Sequence, residues 1–486
     1  MSDERARTAW TVVAVLSVVL CGFRAWFASA VELSPDEAYY WAWSLRPSMG
    51  YYDHGPAVAW LIRAGVAIVG RTELGVRLGA LLCSALTSAI VFVIARRLAG
   101  SWKVALWVFV LVQASPIFAT GAVVHTPDAW LALCWACAAY FGLRAVQEHR
   151  IGFWLGFGVA SGAAMYAKLS GLLLLAGLAL FLVGCRRGHR LLKESGPVLA
   201  FLAAAFVAVP HIAWNAHRQG GSFAFQLARL AGGLSFRPLG PIEFAAGQAA
   251  VVGPLTFIAA AVFAFVAPRA DTRRTRADIF LMWCLAMPLM GICLLLSVFR
   301  KIEANWPAMS YLTLLPAAGW AWHGGYFYSR RQAAWNTSAL ALAALLTLVA
   351  HVQALSAPLP LAPGVDPTRR LRGWRDLAAV AVERAGIWGS ELAAEGYGLT
   401  SELSFYTGRE VLYQPSADRK SQYDLWPQRP VPDSLIVVMS GRTRRRPEIC
   451  ADHLEQRLMQ VSSSPDDGQG RAKEYNWWLC RRRKQG

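Results

Sequence analysis

Residues 34–56 read SPDEAYYWAWSLRPSMGYYDHGP. Asp36 and Glu37 stand side by side, Asp53 and His54 follow, and six aromatic residues lie among them. Carboxylates at the edge of a bilayer are costly unless they are solvated, paired or used. Three later segments carry related chemistry: HTPD (125–128) with Asp128, YAKLSG (166–171) with Lys168, and RKIEANWP (300–307) with Arg300 and Lys301. Acids and cations together suit the transfer of a group from an anionic donor. A cation holds a phosphate while the bond to it breaks, and a carboxylate takes or orients the proton of the attacking hydroxyl. Phosphate leaves without a separate general acid. The sequence contains no glycine-rich nucleotide loop, no HExxH and no GxSxG, so cytoplasmic nucleotide hydrolysis and serine-hydrolase chemistry have no support.

Such residues need elements that bring them to one face. Of the 486 residues, 56% are hydrophobic and 16% charged, against a usual charged share of about 25%. Apolar runs of spanning length recur near 9–31, 74–95, 104–121, 128–145, 152–167, 169–185, 197–214, 246–267, 279–298, 305–322 and 334–352. The chain is therefore an α-helical polytopic membrane protein with about eleven spans. The run 56–70 is short, carries Arg63, and reads as a helix lying in the interface. With the N-terminus cytoplasmic, the inner loops hold roughly twice as many Lys and Arg residues as the outer ones, as insertion topology favours. All the motifs above then face outward.

An odd span number also puts the tail outside. The proline-rich linker SAPLPLAPGVDP (356–367) divides a membrane domain, 1–353 with a reactive first outer loop at 32–73, from a soluble domain, 354–486. In the tail, GIWGSEL and SLIVVMS read as strands and GLTSELSFY as a helix start, giving a small α/β module. Cys450 and Cys480 are the only cysteines there, and an oxidising exterior allows them to pair. Cys134 and Cys137 lack the further ligands of a metal site. The net charge of +18 sits mostly in short inner loops, so no nucleic-acid partner is expected. The late basic runs, Arg442 to Arg446 and Arg481 to Lys484, suit anionic lipid headgroups.

DEAYYWAWS (36–44) followed by GYYDHGP (50–56) resembles the first outer loop of bacterial C-type glycosyltransferases of the protein-mannosyltransferase superfamily (glycosyltransferase family 39), especially the aminoarabinose-transferase branch. HTPD, YAKLSG and KIEANWPAMSY (301–311) keep that family's order, and GYGLTSELSFYTG (396–408) and SQYDLW (421–426) are similar to its soluble end. The resemblance implies a C-type fold and an inverting transfer of a sugar from a polyprenyl-phosphate donor. The acceptor would be an envelope lipid, glycan or protein at the periplasmic face of the bacterial inner membrane. It implies Asp36 as catalytic acid or base, with Glu37 and Asp128 as supporting acids. Lys168, Lys301, Arg300 and His54 would serve the donor phosphate. Relatives of the aminoarabinose type carry a Glu-Lys pair where this chain has Asp53-His54, and that Glu belongs to a metal site. Asp53 is thus a candidate ligand of a divalent metal, with His211, His217 and Gln226 as further possibilities. The alternatives are a polytopic transporter or lipid flippase, and a non-catalytic scaffold. A transporter would carry ionisable or broken helices at the midplane and an inverted repeat; here the polar clusters sit in loops.

Overall fold

The computed structural model describes residues 2–217, 221–266, 274–321, 330–362, 364–417, 419–441, 445–451, 453–462 and 473–482. Residues 442–444 and 483–484 of the two late basic runs lie outside these. The rest is a helical membrane region followed by one five-stranded sheet.

Helices occur at all eleven candidate span positions, but they differ in length. Six described helices are long and apolar enough to cross a bilayer alone, beginning with Ala6–Ala30 and Glu73–Ala99. Others, such as Trp102–Ala114 and Ile151–Ala164, are shorter. The run 246–267, read as one span, is two helices, Gly240–Val252 and Pro254–Phe265, bent by 118°. The break falls at Gly253, with φ +94°, followed by Pro254. That conformation favours glycine, and proline supplies no N–H to continue the ladder. The run at 56–70 forms the helix Ala57–Val69, with Ile62 buried and Ile68 75% exposed.

The first outer loop opens with a short helix, Pro35–Ser44. Its start follows from sequence. Ser34 accepts a hydrogen bond from the Glu37 N–H, Glu37 returns one to the Ser34 N–H, and Pro35 occupies the first turn. This capping box satisfies two otherwise orphaned donors. Further on, Gly55 meets Tyr166 so closely that a Cβ would lie 2.1 Å from its carbonyl oxygen. The Ala57 N–H donates to the same oxygen at 3.0 Å. Glycine therefore lets the YYDHGP segment dock beside the loop that carries Lys168.

The tail strands are β1 (Glu391–Glu395), β2 (Leu412–Gln414), β3 (Ser434–Ser440), β4 (His453–Ser462) and β5 (Glu474–Arg482), in the order β2-β1-β3-β5-β4. β1 pairs in parallel with β2 and β3, whereas β5 runs antiparallel to β3 and β4. Along β3, Ile436 and Val438 join one apolar cluster while Leu435, Val437 and Met439 join another. This two-residue alternation covers both sheet faces. SLIVVMS is thus a strand as read. GIWGSEL is not one throughout, because its first half ends the helix Trp374–Trp388 and β1 begins only at Glu391. Cys450 and Cys480 form a disulfide with 5.8 Å between their Cα atoms.

The tail is docked onto the membrane region. The Glu32 carboxylate accepts the N–H groups of Trp374 (2.6 Å) and Arg375 (3.3 Å), capping the tail's first long helix from the other side of the linker. The Leu33 N–H donates to the Tyr406 hydroxyl at 2.8 Å. The helix Gly396–Thr407 packs on Pro35–Ser44, with Phe405 edge-on to Trp41.

Candidate active site

The two adjacent acids of the loop helix turn opposite ways. Glu37 is wholly buried. Its Oε1 accepts Arg77 Nε at 2.8 Å and the His125 N–H at 2.9 Å; its Oε2 accepts Arg77 Nη2 at 2.9 Å and the Ser34 N–H at 2.9 Å. Burial alone pushes this carboxyl upward, but Arg77 and the two backbone donors hold it below its ordinary value. Arg77 also donates to the carbonyls of Ala28, Val31 and Glu32, each at 2.8 Å. Glu37 therefore ties together the end of the first span, the loop helix and the HTPD segment. Read from sequence as a supporting catalytic acid, it has no open side for a substrate and acts by holding the loop.

Asp36 keeps a third of its side chain exposed. Its Oδ1 accepts the Tyr397 hydroxyl at 3.0 Å and its Oδ2 accepts Arg370 Nη2 at 2.9 Å. Both partners belong to the tail, more than three hundred positions away. Asp53 is also clasped by the tail: Oδ1 meets Arg419 at 2.7 Å and Oδ2 accepts the Tyr39 hydroxyl at 2.8 Å. Burial raises its carboxyl despite these partners. The third acid, Asp128, opens the helix Pro127–Glu148 behind the N-cap Thr126. Its Oδ1 holds Lys168 at 2.6 Å and its Oδ2 accepts Asn305 at 3.0 Å. Asn305 comes from RKIEANWP, whose backbone is fixed by Gln248 donating to the Ala304 carbonyl at 3.0 Å.

Tyr40 lies among these acids. Its phenol is driven upward first by burial and then by the charges of Asp36, Asp53, Tyr397 and Asp128. It stays protonated and able to donate a hydrogen bond. His54 occupies the complementary position. Burial and the charges of Lys168, Arg229 and Arg419 hold its imidazole well below the usual value. It is neutral at pH 7, and its buried Nδ1 finds no partner among the described residues.

Lys301 and Arg300 stand apart. Lys301 is exposed, and neither residue makes a hydrogen bond or ion pair with Asp36, Asp128 or Lys168. Arg300 donates to the Arg229 carbonyl and lies over the Trp306 ring. The segment 300–307 reaches the acids through Asn305 instead.

A divalent metal does not fit the residues around Asp53. Asp53 is buried, and a guanidinium already sets a positive charge against its carboxylate. Among the described residues no three His, Cys, Asp or Glu side chains cluster as ligands. A cation from the tail, Arg419, neutralises Asp53.

Beside Asp128 and Asn305 opens a cleft of about 170 Å³. Ser84, Thr87 and Ser88 line it together with Val112, Ile117, Phe118 and Met309. The cleft thus sets one carboxylate among mostly apolar and small hydroxyl-bearing side chains.

Residues 53–214 match the family of dolichyl-phosphate-mannose-protein mannosyltransferases. The chain is 28% identical over 422 residues to the lipid A galacturonosyltransferase RgtD of Rhizobium johnstonii, covering 82% of this chain and 83% of that one. This is a membrane glycosyltransferase, similar to the protein-mannosyltransferase family over residues 53–214. Its fold is that of ArnT from Cupriavidus metallidurans. The apo structure of that protein aligns with a TM-score of 0.64 at 18% identity, covering 98% of each chain. Its complex with undecaprenyl phosphate aligns at 0.66 and 17%, covering 97% of the transferase and 98% of ArnT. An uncharacterized Aquifex aeolicus protein is 27% identical over 155 residues, 31% of each chain.

Sequence reasoning on the transferase named Asp36, Asp53, His54, Asp128 and Lys168, and the fold connects them. It missed Arg370, Tyr397 and Arg419, whose partners are too distant in sequence for any spacing rule. It also passed over Asn305, inside a motif it had singled out, and Tyr40, one of the six loop aromatics it left without a role. The family-like run at 396–408, with Tyr397 near its start, was the one available signal for the tail's share.

Proposed function

We propose that the transferase moves a sugar from a polyprenyl phosphate to lipid A or a related envelope acceptor, with inversion. The reaction would take place at the periplasmic face of a bacterial inner membrane, with the N-terminus cytoplasmic and the tail periplasmic. The observation that carries this reading is the Asp128–Lys168 pair, with Asp128 also lining a mostly apolar cleft. The polyprenyl chain lies along the cleft and its phosphate reaches Lys168. Lys168 has three N–H donors; one is spent on Asp128, leaving two for phosphate oxygens. Asp128 and Asn305 keep the amine in place, and neutral His54 donates or accepts beside it.

Asp36 faces the other reactant. The acceptor hydroxyl attacks the anomeric carbon from the side opposite the phosphate, the carbon–oxygen bond to phosphate breaks, and Asp36 takes the hydroxyl proton. Arg370 and Tyr397 orient the carboxylate, which has lone pairs beyond those they engage. Tyr40 and Tyr39 stand where sugar hydroxyls would pass. The sugar is proposed to be a hexuronic acid, as the name of RgtD suggests for its own product. Arg419, with N–H groups beyond the one spent on Asp53, supplies the cation that a sugar carboxylate requires.

The test is mass spectrometry of envelope glycolipids from cells with and without the gene. The reading expects the loss of one hexuronic acid mass from lipid A. An unchanged lipid profile, with substrate movement in a counterflow assay instead, would replace it with the transporter reading.

A further inference from the structure

A second cavity, of about 460 Å³, lies away from the three acids, between the C-terminal end of the helix Pro35–Ser44 and the tail. Four arginines line it from four separate segments. Arg46 follows the loop helix and Arg71 precedes the span Glu73–Ala99; Arg409 follows the tail helix Gly396–Thr407 and Arg429 precedes β3. Glu410 is the one acid in its wall. It lies 3.5 Å from Arg46 and 3.4 Å from Arg429. The guanidinium groups of Arg71 and Arg409 have no ion pair or hydrogen bond among the described residues. Arg71 is exposed, and its Nη2 lies beside Gly408, where a Cβ would fall 2.7 Å from it. Arg46 lies flat over Trp426 at 4.6 Å, and the Trp41 indole N–H is buried beside the cavity with no partner.

Gathering like charges in one hollow costs stability unless something negative enters it. Neither Arg71 nor Arg409 supports the fold through a partner. Planar guanidinium groups suit phosphate oxygens, which they bind in pairs, and aromatic walls offer faces for sugar rings. The position adds a length. Arg46 stands ten residues beyond Asp36, mostly along one helix, or about 15 Å at 1.5 Å per residue. A ligand spanning both points would present its reacting hydroxyl on one sugar and its anion on another.

We propose that this cavity anchors the acceptor and binds a phosphate ester carried on a sugar of a glycolipid. The inference rests on the reading of the chain as a transferase to an envelope glycolipid, and its test separates the two. The purified full chain in nanodiscs is titrated with diphosphoryl lipid A, with the same lipid after enzymatic dephosphorylation, and with inorganic phosphate. Wild type is expected to bind the diphosphoryl form at least about tenfold more tightly than the dephosphorylated one, the effect of about one charge-assisted contact. R71Q/R409Q is expected to lose that preference, and D36N to keep it. Should the double variant fail to fold, R409Q alone, at an exposed position, is expected to lose part of the preference. A preference that survives R71Q/R409Q, or R409Q in its place, overturns the proposal. So does a wild type indifferent to phosphorylation, or inorganic phosphate binding as tightly as the lipid. Sugar transfer is measured separately: intact binding with no transfer would sink the enzymatic reading and leave an anionic glycolipid site.

Discussion

Asp36 and Glu37 are neighbours, both are carboxylates, and each meets an arginine. Glu37 meets Arg77 inside the membrane region, with no exposed atom on either side chain. Asp36 meets Arg370 of the tail across a partly open contact, the side chains 34% and 55% exposed. The first pair is closed and serves the fold. The second spans two parts of the chain and leaves room for a substrate. On the proposed reading, the same residue types thus divide between architecture and chemistry according to burial and to where the partner comes from.

Breaking the closed pair should have the largest effect. Glu37→Gln leaves the Arg77 guanidinium buried without its counter-charge and should cost about 3–5 kcal/mol, read as a large drop in unfolding midpoint and in folded yield. Its pH dependence sharpens the contrast. The folded-state carboxyl of Glu37 lies below its ordinary value, so its stabilisation is complete above the ordinary glutamate range and is lost as pH falls through the lowered value. The gap in midpoint between wild type and Glu37→Gln should narrow on acidification.

The open pair should behave oppositely. Asp36→Asn should shift stability by no more than about 1 kcal/mol, as for a partly exposed ion pair, while lowering kcat by about 10²–10⁴-fold through loss of proton transfer. Lys168→Ala should raise KM for the lipid-linked donor by about tenfold or more, the size of a charge-assisted contact, and should leave acceptor binding unchanged. Arg370→Gln should have the smallest effect, about two- to fivefold in kcat, about 1 kcal/mol or less, because Tyr397 still orients Asp36. A fall as deep as that of Asp36→Asn would mean that Arg370 itself touches the substrate.

Much of this was legible in the sequence because local chemistry wrote it there. SPDE is a capping box as well as a pair of acids, so helix start and candidate site coincide. SLIVVMS became β3 because unbroken β-branched residues suit a strand covered on both faces. The helix Gly240–Val252 was less legible, since hydropathy integrates over a window and ignores a 118° turn at Gly253. The opposite fates of Asp36 and Glu37 were not legible. Arg77 and Arg370 are respectively 40 and 334 positions from their carboxylates, and only the folded chain shows which acid is enclosed. Asp53 looked like a metal ligand by motif position; the guanidinium of Arg419, from the far end of the chain, already supplies its counter-charge.

The central claim is that Asp36, open to substrate and held by the tail, takes the acceptor's proton while Lys168 holds the donor phosphate. The most direct test is single-turnover transfer from a radiolabelled polyprenyl-phosphate sugar to lipid A by purified, folded Asp36→Asn. The account predicts donor binding equal to wild type with transfer slowed by at least about 10². Transfer at the wild-type rate would contradict it.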